Sequence, residues 1–310
     1  MSLTVLSKAV LERGDLGAWN LKAMNHEAQL PFLPQAPATV PTAKDAVPRP
    51  RLRKRLACGA EESEEKEAMR FFTGLHQPSD ARHFDASFIS VNRLVARRSQ
   101  FSVGDWIMDC GGFTAISSGK GYMLAMKYAQ EIRRWAQCGE MLAAVSQDWM
   151  CEPFIIAKTG LDVETHQALT VTRYQELKSY IGDEAYLMPV LQGYSEHEYV
   201  AHVHHYGALL GNFAWVGVGS VCKRNGDPAA IVSVLRAIKR VRPDLRLHGF
   251  GLKTTSLQDS RVRSYLYSAD SMAWSFASRK QGLGGNNYHD AVSFTDTVSR
   301  TPTQGALQLW

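Results

Sequence analysis

Asp109-Cys110-Gly111-Gly112-Phe113 sets a carboxylate, two glycines and an aromatic ring within one short stretch. Gln147-Asp148, Leu191-Gln192-Gly193, Gly217-Val218-Gly219-Ser220, Gly249-Phe250-Gly251 and Asp270-Ser271 add polar groups of the same kind further along. Carboxylate and amide oxygens accept hydrogen bonds from ring N–H and amino groups, and Phe113 offers a stacking face. Gly193, Gly217 and Gly219 let backbone N–H groups approach a ligand edge. Together these groups suit a planar heteroaromatic ligand, and a purine-like base meets each need. Asp109 alone would serve to cap its own turn; the Gly-Gly-Phe behind it favours a functional carboxylate.

These stretches gain meaning from the elements that precede them. From residue 68 onward, short runs rich in β-branched and aromatic residues alternate with segments of helical period. Eight runs read as strands, over 70–73, 87–91, 106–109, 142–146, 186–191, 213–218, 245–250 and 269–274. The clearest helices between them cover 122–137, 163–181, 196–210, 228–241 and 256–267. Eightfold strand–helix alternation predicts an α/β TIM barrel, a (β/α)8 fold. The alternative, a doubly wound sheet, wants a G-x-G-x-x-G after a strand, and none is present. In a barrel the loops after the strands hold the chemistry, and each polar stretch named above falls at a strand end.

The basic residues repeat this placement. Arg93, Arg97 and Arg98 follow the second strand, Lys223 and Arg224 the sixth, Lys253 the seventh, and Arg279 and Lys280 the eighth. They are expected to ring one mouth and to hold the phosphates of a nucleic acid. No metal site is expected. His202, His204 and His205 lie in a helical segment whose spacing does not put them on one face. His76 and His248 stand at or beside strand ends, as packing or functional residues alike.

The whole chain has 310 residues, a net charge of +5 and 45% hydrophobic residues, which bounds it to a soluble globular protein of one large domain or two small ones. No apolar run reaches the roughly 20 residues a membrane span needs, and no signal pattern opens the chain, so no membrane partner and a cytoplasmic location are expected. The five cysteines are widely spaced and never form C-x-x-C, which predicts reduced thiols. Six prolines between residues 31 and 50 read as an extended linker, followed by the basic run Arg49, Arg51, Arg53, Lys54, Arg55. Residues 1–66 are therefore expected to form an extension, with a barrel over 67–310.

Taken in order and at these strand ends, Asp109-Cys110-Gly111-Gly112-Phe113, Gln147-Asp148, Leu191-Gln192-Gly193 and Gly249-Phe250-Gly251 resemble the tRNA-guanine transglycosylase superfamily. The resemblance covers roughly residues 70–282. Phe72-Thr73-Gly74-Leu75-His76-Gln77-Pro78 and Asp270-Ser271 make it look closest to the branch that acts on DNA, the deazapurine DNA modification transglycosylases. The tRNA-acting members carry a C-x-C-x-x-C zinc subdomain after the barrel, whereas no cysteine follows Cys222 here.

The resemblance implies a pentosyltransferase that exchanges guanine in DNA for a 7-deazaguanine such as preQ0, without a cofactor. DNA and a deazapurine base would be its partners, together with other DNA-modification proteins. It implies that Asp109 contacts the exchanged base or serves as acid and base. Phe113 would stack on the base, Asp148 and Gln192 would read its polar edge, and the 217–220 turn would line its seven-substituent. A second aspartate at the eighth strand would attack the sugar. The Asp-Ser pair puts Asp270 there, whereas counting back from Arg279 puts Ala273 there; an alanine cannot do the chemistry. Were Asp270 at the wrong end of its strand, Asp109 would become the nucleophile. An RNA-acting transglycosylase and a noncatalytic purine- or nucleic-acid-binding barrel remain as alternatives.

Overall fold

Short runs with both faces apolar pair as parallel strands, because amphipathic helices on the return path cover them from outside. The computed structural model describes residues 69–300 apart from Lys120, Gln281 and Leu283. The expected N-terminal extension, with its Pro-rich linker and basic run, lies outside the described residues. The strands are β1 Arg70–Leu75, β2 Ala86–Ser90, β3 Asp105–Asp109, β4 Glu140–Val145, β5 Leu187–Met188, β6 Val190–Leu191, β7 Trp215–Val218, β8 Arg246–Gly249 and β9 Leu266–Ser271. All pairings are parallel, in the order β5-β4-β3-β2-β1-β9-β8-β7-β6.

β5 and β6 occupy one strand position, split at Pro189, which has no N–H to give. The carbonyls of Tyr186 and Met188 accept from Ala144 and Ser146 of the β4 path, each at 2.9 Å. The carbonyls of Pro189 and Leu191 accept from Gly217 and Gly219 of the β7 path, also at 2.9 Å. One segment thus bridges both neighbours and closes the ring into an α/β barrel of the TIM type, which removes the doubly wound alternative.

The helices are α1 Gly112–Ser117, α2 Ala125–Trp135, α3 Pro153–Thr159, α4 Val163–Ile181, α5 Glu196–Tyr206, α6 Pro228–Val241, α7 Thr254–Leu257, α8 Ser260–Tyr265, α9 Ala273–Lys280 and α10 Tyr288–Ser299. α2 buries Ala125, Tyr128, Ala129, Ile132 and Trp135, the stripe its sequence spacing dictates. α6 starts where Asp227 accepts from the Ala230 N–H at 3.1 Å and Pro228 fixes the first turn. α4 turns a polar face inward: His166, Gln167 and Thr170 are buried, and they serve the loops above them.

One strand differs from expectation. The eighth position runs over Leu266–Ser271 rather than 269–274, because α8 passes into β9 without a loop, while the Ser271 hydroxyl accepts from the Ala273 N–H at 3.2 Å and starts the next helix. Asp270 is therefore the penultimate residue of its strand, at the carboxyl end, and Ala273 is the first residue of α9. Inside the barrel, rings from separated strands meet. Phe88 of β2 stacks on His248 of β8 with centroids 5.7 Å apart, and Phe72 of β1 approaches Trp215 of β7 at 6.0 Å. This aromatic plug fills the interior beneath the carboxyl-end mouth.

Candidate functional site

Three of the mouth's four carboxylates stand on strand ends or just past them, and burial is the main influence on the titration of Asp109, Asp148 and Glu152. Asp109 ends β3, and its Oδ2 accepts from the Gly111 N–H at 3.1 Å. Gly111 adopts φ +75, and an added Cβ would meet the Asn92 amide at 2.4 Å, so glycine is required at that turn. Burial first, and then the charge of Asp270, push the Asp109 carboxyl up to about 6 against hydrogen bonds from Ser90 and the turn backbone. Asp109 thus lies within the field of Asp270, although β2 and β1 separate their strands.

Asp270 is held on one oxygen. Its Oδ1 receives the Gly251 N–H at 3.1 Å and faces Nε2 of buried His248 at 3.2 Å. The far side of that ring, Nδ1, meets the Ser268 hydroxyl at 2.9 Å, so the imidazole orientation is fixed. Both contacts fall on Oδ1, and neither uses Oδ2.

Asp148 stands at the centre of a third group. Gln192 Nε2 donates to its Oδ2, the Cys110 thiol reaches its Oδ1 at 3.5 Å, and Ser220 Oγ donates to Gln192 Oε1 at 3.0 Å. Burial raises the Asp148 carboxyl to about 7 in spite of the Gln192 bond, with Asp109 and Glu152 adding repulsion. The polar face of α4 holds this group in place. Gln167 Nε2 donates to the Gln192 and Glu198 carbonyls at 2.7 and 2.8 Å, and Thr170 Oγ1 accepts from the Trp149 N–H at 2.8 Å. Tyr122 closes the loop from above by donating to the Asp148 carbonyl at 2.5 Å.

The structure brings together Asp109, Asp148, Gln192 and the 217–220 turn as one wall, with Asp270 in reach of Asp109's field. Two glycines prove to make room for neighbours. A Cβ on Gly219 would lie 2.1 Å from the Gln192 amide nitrogen, and one on Gly217 would lie 2.3 Å from the Phe250 ring. Gly193 is likewise packed, against Glu198 and Tyr199. Gly219→Ala should therefore displace Gln192 and break its bond to Asp148, and in the reaction proposed below it should lower kcat/KM by about 10²-fold, the usual cost of a misplaced contact near reacting groups. Steady-state kinetics of that reaction will read this; an unchanged KM and kcat would show that Gln192 does not serve the site.

Phe113 opens α1 at the rim with 56% of its surface exposed, and Lys223 Nζ sits 4.9 Å from its ring centre. The basic residues divide. Arg93 reaches His76 Nδ1 at 3.3 Å, while Arg279 donates to Ser275, whose hydroxyl meets His76 Nε2 at 2.9 Å. Burial and these two guanidinium groups together hold the His76 imidazole below its ordinary range. Lys223, Arg224 and Lys253 stand across the mouth on the loops after β7 and β8. Arg97 does not join them. It donates to the Ser99 carbonyl at 2.8 Å and lies over Phe101, which packs on Trp106 at the start of β3, the end of the barrel away from the mouth. The loop after β2 returns down the wall with only the short 3-10 turn Val91–Arg93 in place of a covering α-helix, and it carries Arg97 with it. Arg98 and Lys280 are exposed, and among the described residues no hydrogen bond or ion pair ties them to the mouth.

Glu152, Tyr122 and Ser90 join the site beyond the residues named from sequence, while Ser220, named there within the 217–220 turn, and His248, named there as a packing or functional residue, bond Gln192 and face Asp270. Glu152 is 2% exposed and its Oε2 has no hydrogen-bond partner among the described residues, while burial raises its carboxyl. Its position four residues past Asp148 was the available signal. Cys110, Cys138, Cys151 and Cys222 are free thiols. Among the described residues, no group of three or more His, Cys, Asp or Glu side chains is arranged to hold a metal, and no helix is long and apolar enough to cross a membrane.

A family model described as DpdA, DeoxyPurine in DNA protein A, matches residues 67–297, well over half of the chain. No curated protein matches the chain. The chain belongs to the DpdA family, the DNA-modifying branch of the tRNA-guanine transglycosylase superfamily.

Proposed function

We propose that the protein replaces guanine in DNA by a 7-deazaguanine such as preQ0, and that Asp270 forms a covalent ester with the sugar on the way. The observation that carries this reading is a pair of carboxylates at strand ends in the mouth: Asp270 anchored through one oxygen, and Asp109 raised to about 6 by burial and by the Asp270 charge. A base inside the duplex does not reach such a pocket, so the guanine must leave the stack at a cost of a few kcal/mol.

In the first step Asp270 Oδ2 bonds to C1′ as the C1′–N9 bond breaks, and the departing base takes the electron pair and a proton from Asp109. In the second, the incoming deazapurine gives its N9 proton to Asp109, N9 bonds to C1′ from the vacated side, and the ester C–O bond breaks to restore the Asp270 carboxylate. Two displacements give net retention, as in retaining glycosidases. A carboxyl near 6 suits Asp109 for both directions of proton transfer near neutral pH. Asp148 and Gln192 read the polar edge of the base, Phe113 stacks on it, and the 217–220 turn faces its seven-substituent. The clusters of Arg93 with Arg279 and of Lys223, Arg224 and Lys253 hold the flanking phosphates. No cofactor takes part in this scheme.

Residues 67–310 carry the chemistry in this reading, with 1–66 as a separate extension. Nucleoside analysis of DNA from cells supplied with preQ0 tests both points. Cells expressing the full chain, or residues 67–310 alone, are expected to contain the deazapurine deoxynucleoside. Its presence in RNA instead would turn the reading to an RNA substrate, and its absence from both would favour a binding protein.

A further inference from the structure

Beyond Phe113 and the cations placed above against the base and its phosphates, the rim of the mouth carries three rings, Phe154, Tyr194 and Phe276, that the exchange scheme leaves unused. Phe113, Phe154, Tyr194 and Phe276 are exposed, between 39% and 56%, on segments that follow β3, β4, β6 and β9. A cation stands over each ring. Lys223 Nζ lies 4.9 Å from Phe113 and 5.2 Å from Phe154, Arg224 lies 4.4 Å from Tyr194, and Lys253 lies 5.5 Å from Phe276. Tyr186 and Phe213 are the other exposed aromatic rings among the described residues; both precede strands, at the opposite end, and no cation stands over either among the described contacts.

The three cations share one anchor. Buried Asn225 donates to the Cys222 and Gly251 carbonyls at 2.6 and 3.1 Å, and its Oδ1 accepts from the Lys253 N–H at 2.7 Å. The loops after β7 and β8 are thereby tied into one arc, with rings supplied by four other segments.

We infer that this arc holds unpaired nucleotides on either side of the exchanged guanine, so that the substrate is an opened DNA strand rather than a closed duplex. The inference rests on the DNA reading above. A ring with a cation beside it matches a single strand, whose base offers a free face for stacking while its phosphate meets the charge. In a duplex those faces are stacked on one another, and exposed rings would find only phosphates and groove edges. The carboxylates deep in the mouth repel phosphate, which leaves the backbone to the rim and admits the extruded nucleoside alone.

Anisotropy measurements on the full chain with a short, labelled, guanine-containing oligodeoxynucleotide, single-stranded or annealed to its complement, test this. Single strand is expected to bind at least about tenfold more tightly than duplex at equal salt. Phe154→Ala, Tyr194→Ala and Phe276→Ala should each weaken single-strand binding by about tenfold, the usual loss for one stacking ring. Because the cations remain, the salt dependence should not change, and Tyr194→Phe should restore affinity. Equal binding of the two forms, or a triple alanine variant that still binds single strand like the wild type, would overturn the inference. Exchange of guanine in closed duplex, undiminished in the triple variant, would also overturn it while leaving the exchange reading intact. Ring-dependent single-strand preference without any guanine release would uphold the inference and remove the exchange reading.

Discussion

Asp270→Asn is expected to abolish the proposed exchange, with a loss of at least about 10⁴-fold, because removal of the proposed covalent nucleophile leaves only binding and electrostatic contributions. The substitution keeps the shape of the side chain. Its carbonyl oxygen can still accept the Gly251 N–H that Oδ1 accepts at 3.1 Å and face His248 at 3.2 Å. Affinity for DNA should therefore persist, and the protein–DNA ester visible on a denaturing gel should vanish. A second effect follows from the coupling of the carboxylates. With the Asp270 charge gone, the Asp109 carboxyl should fall from about 6 toward its ordinary range, since that charge is the second-largest influence raising it. Exchange at the wild-type rate would remove Asp270 from the mechanism and move the nucleophile to Asp109.

Asp109→Asn should impair catalysis and improve stability together. Loss of the proposed proton donor and acceptor is expected to cost about 10²–10⁴-fold in rate. The stability effect has the opposite sign because the carboxyl is raised in the folded protein, from 3.8 to about 6, by burial and by Asp270. Between those values the folded state binds more protons than the unfolded chain, so stability falls as pH rises through the window from about 4 to about 6. Above it the fold bears the full cost, at most about 3 kcal/mol. The asparagine variant should therefore melt higher at about pH 8, by on the order of 5–10 °C, and show no such gain at about pH 4. A variant less stable than wild type at the higher pH would mean that the ionised carboxyl does not burden the fold.

Much of the barrel was legible because strands buried on both faces leave continuous apolar runs and covering helices leave periodic ones. The helices Val163–Ile181 and Pro228–Val241 stand where their periodicity put them, and the structure shows each capped by the aspartate before it. The reading slipped where local signals were ambiguous. Tyr265, Leu266 and Tyr267 continue the apolar pattern of a helix, yet Leu266 begins β9 with no glycine or proline between them. Residues 122–124 read as helix, whereas Tyr122 is drawn off to bond the Asp148 carbonyl and α2 begins at Ala125. α1 and α3 are short and follow strand ends, where a few residues carry too little period to be recognised.

The candidate site was legible to the extent that it depends on residue type at strand ends. Asp109, Asp148, Gln192 and Asp270 were chosen in that way, and each stands at or just past a strand's carboxyl end. Side-chain pairings on neighbouring strands were not legible, since nothing in linear order links His248 to Asp270 or Ser220 to Gln192. Arg97 shows the converse: its closeness to Arg93 in sequence suggested a shared role, but the descending loop carries it to the far end of β3.

The most direct test of base exchange follows both bases in one reaction. Purified protein, a guanine-containing single-stranded DNA and labelled preQ0 are incubated, and released guanine, incorporated label and alkali-labile sites are counted together. One deazapurine incorporated for each guanine released, with no abasic sites, is the predicted result. Guanine released into alkali-labile sites without incorporation would show hydrolysis in place of exchange, and no release of guanine at all would contradict catalysis at this mouth.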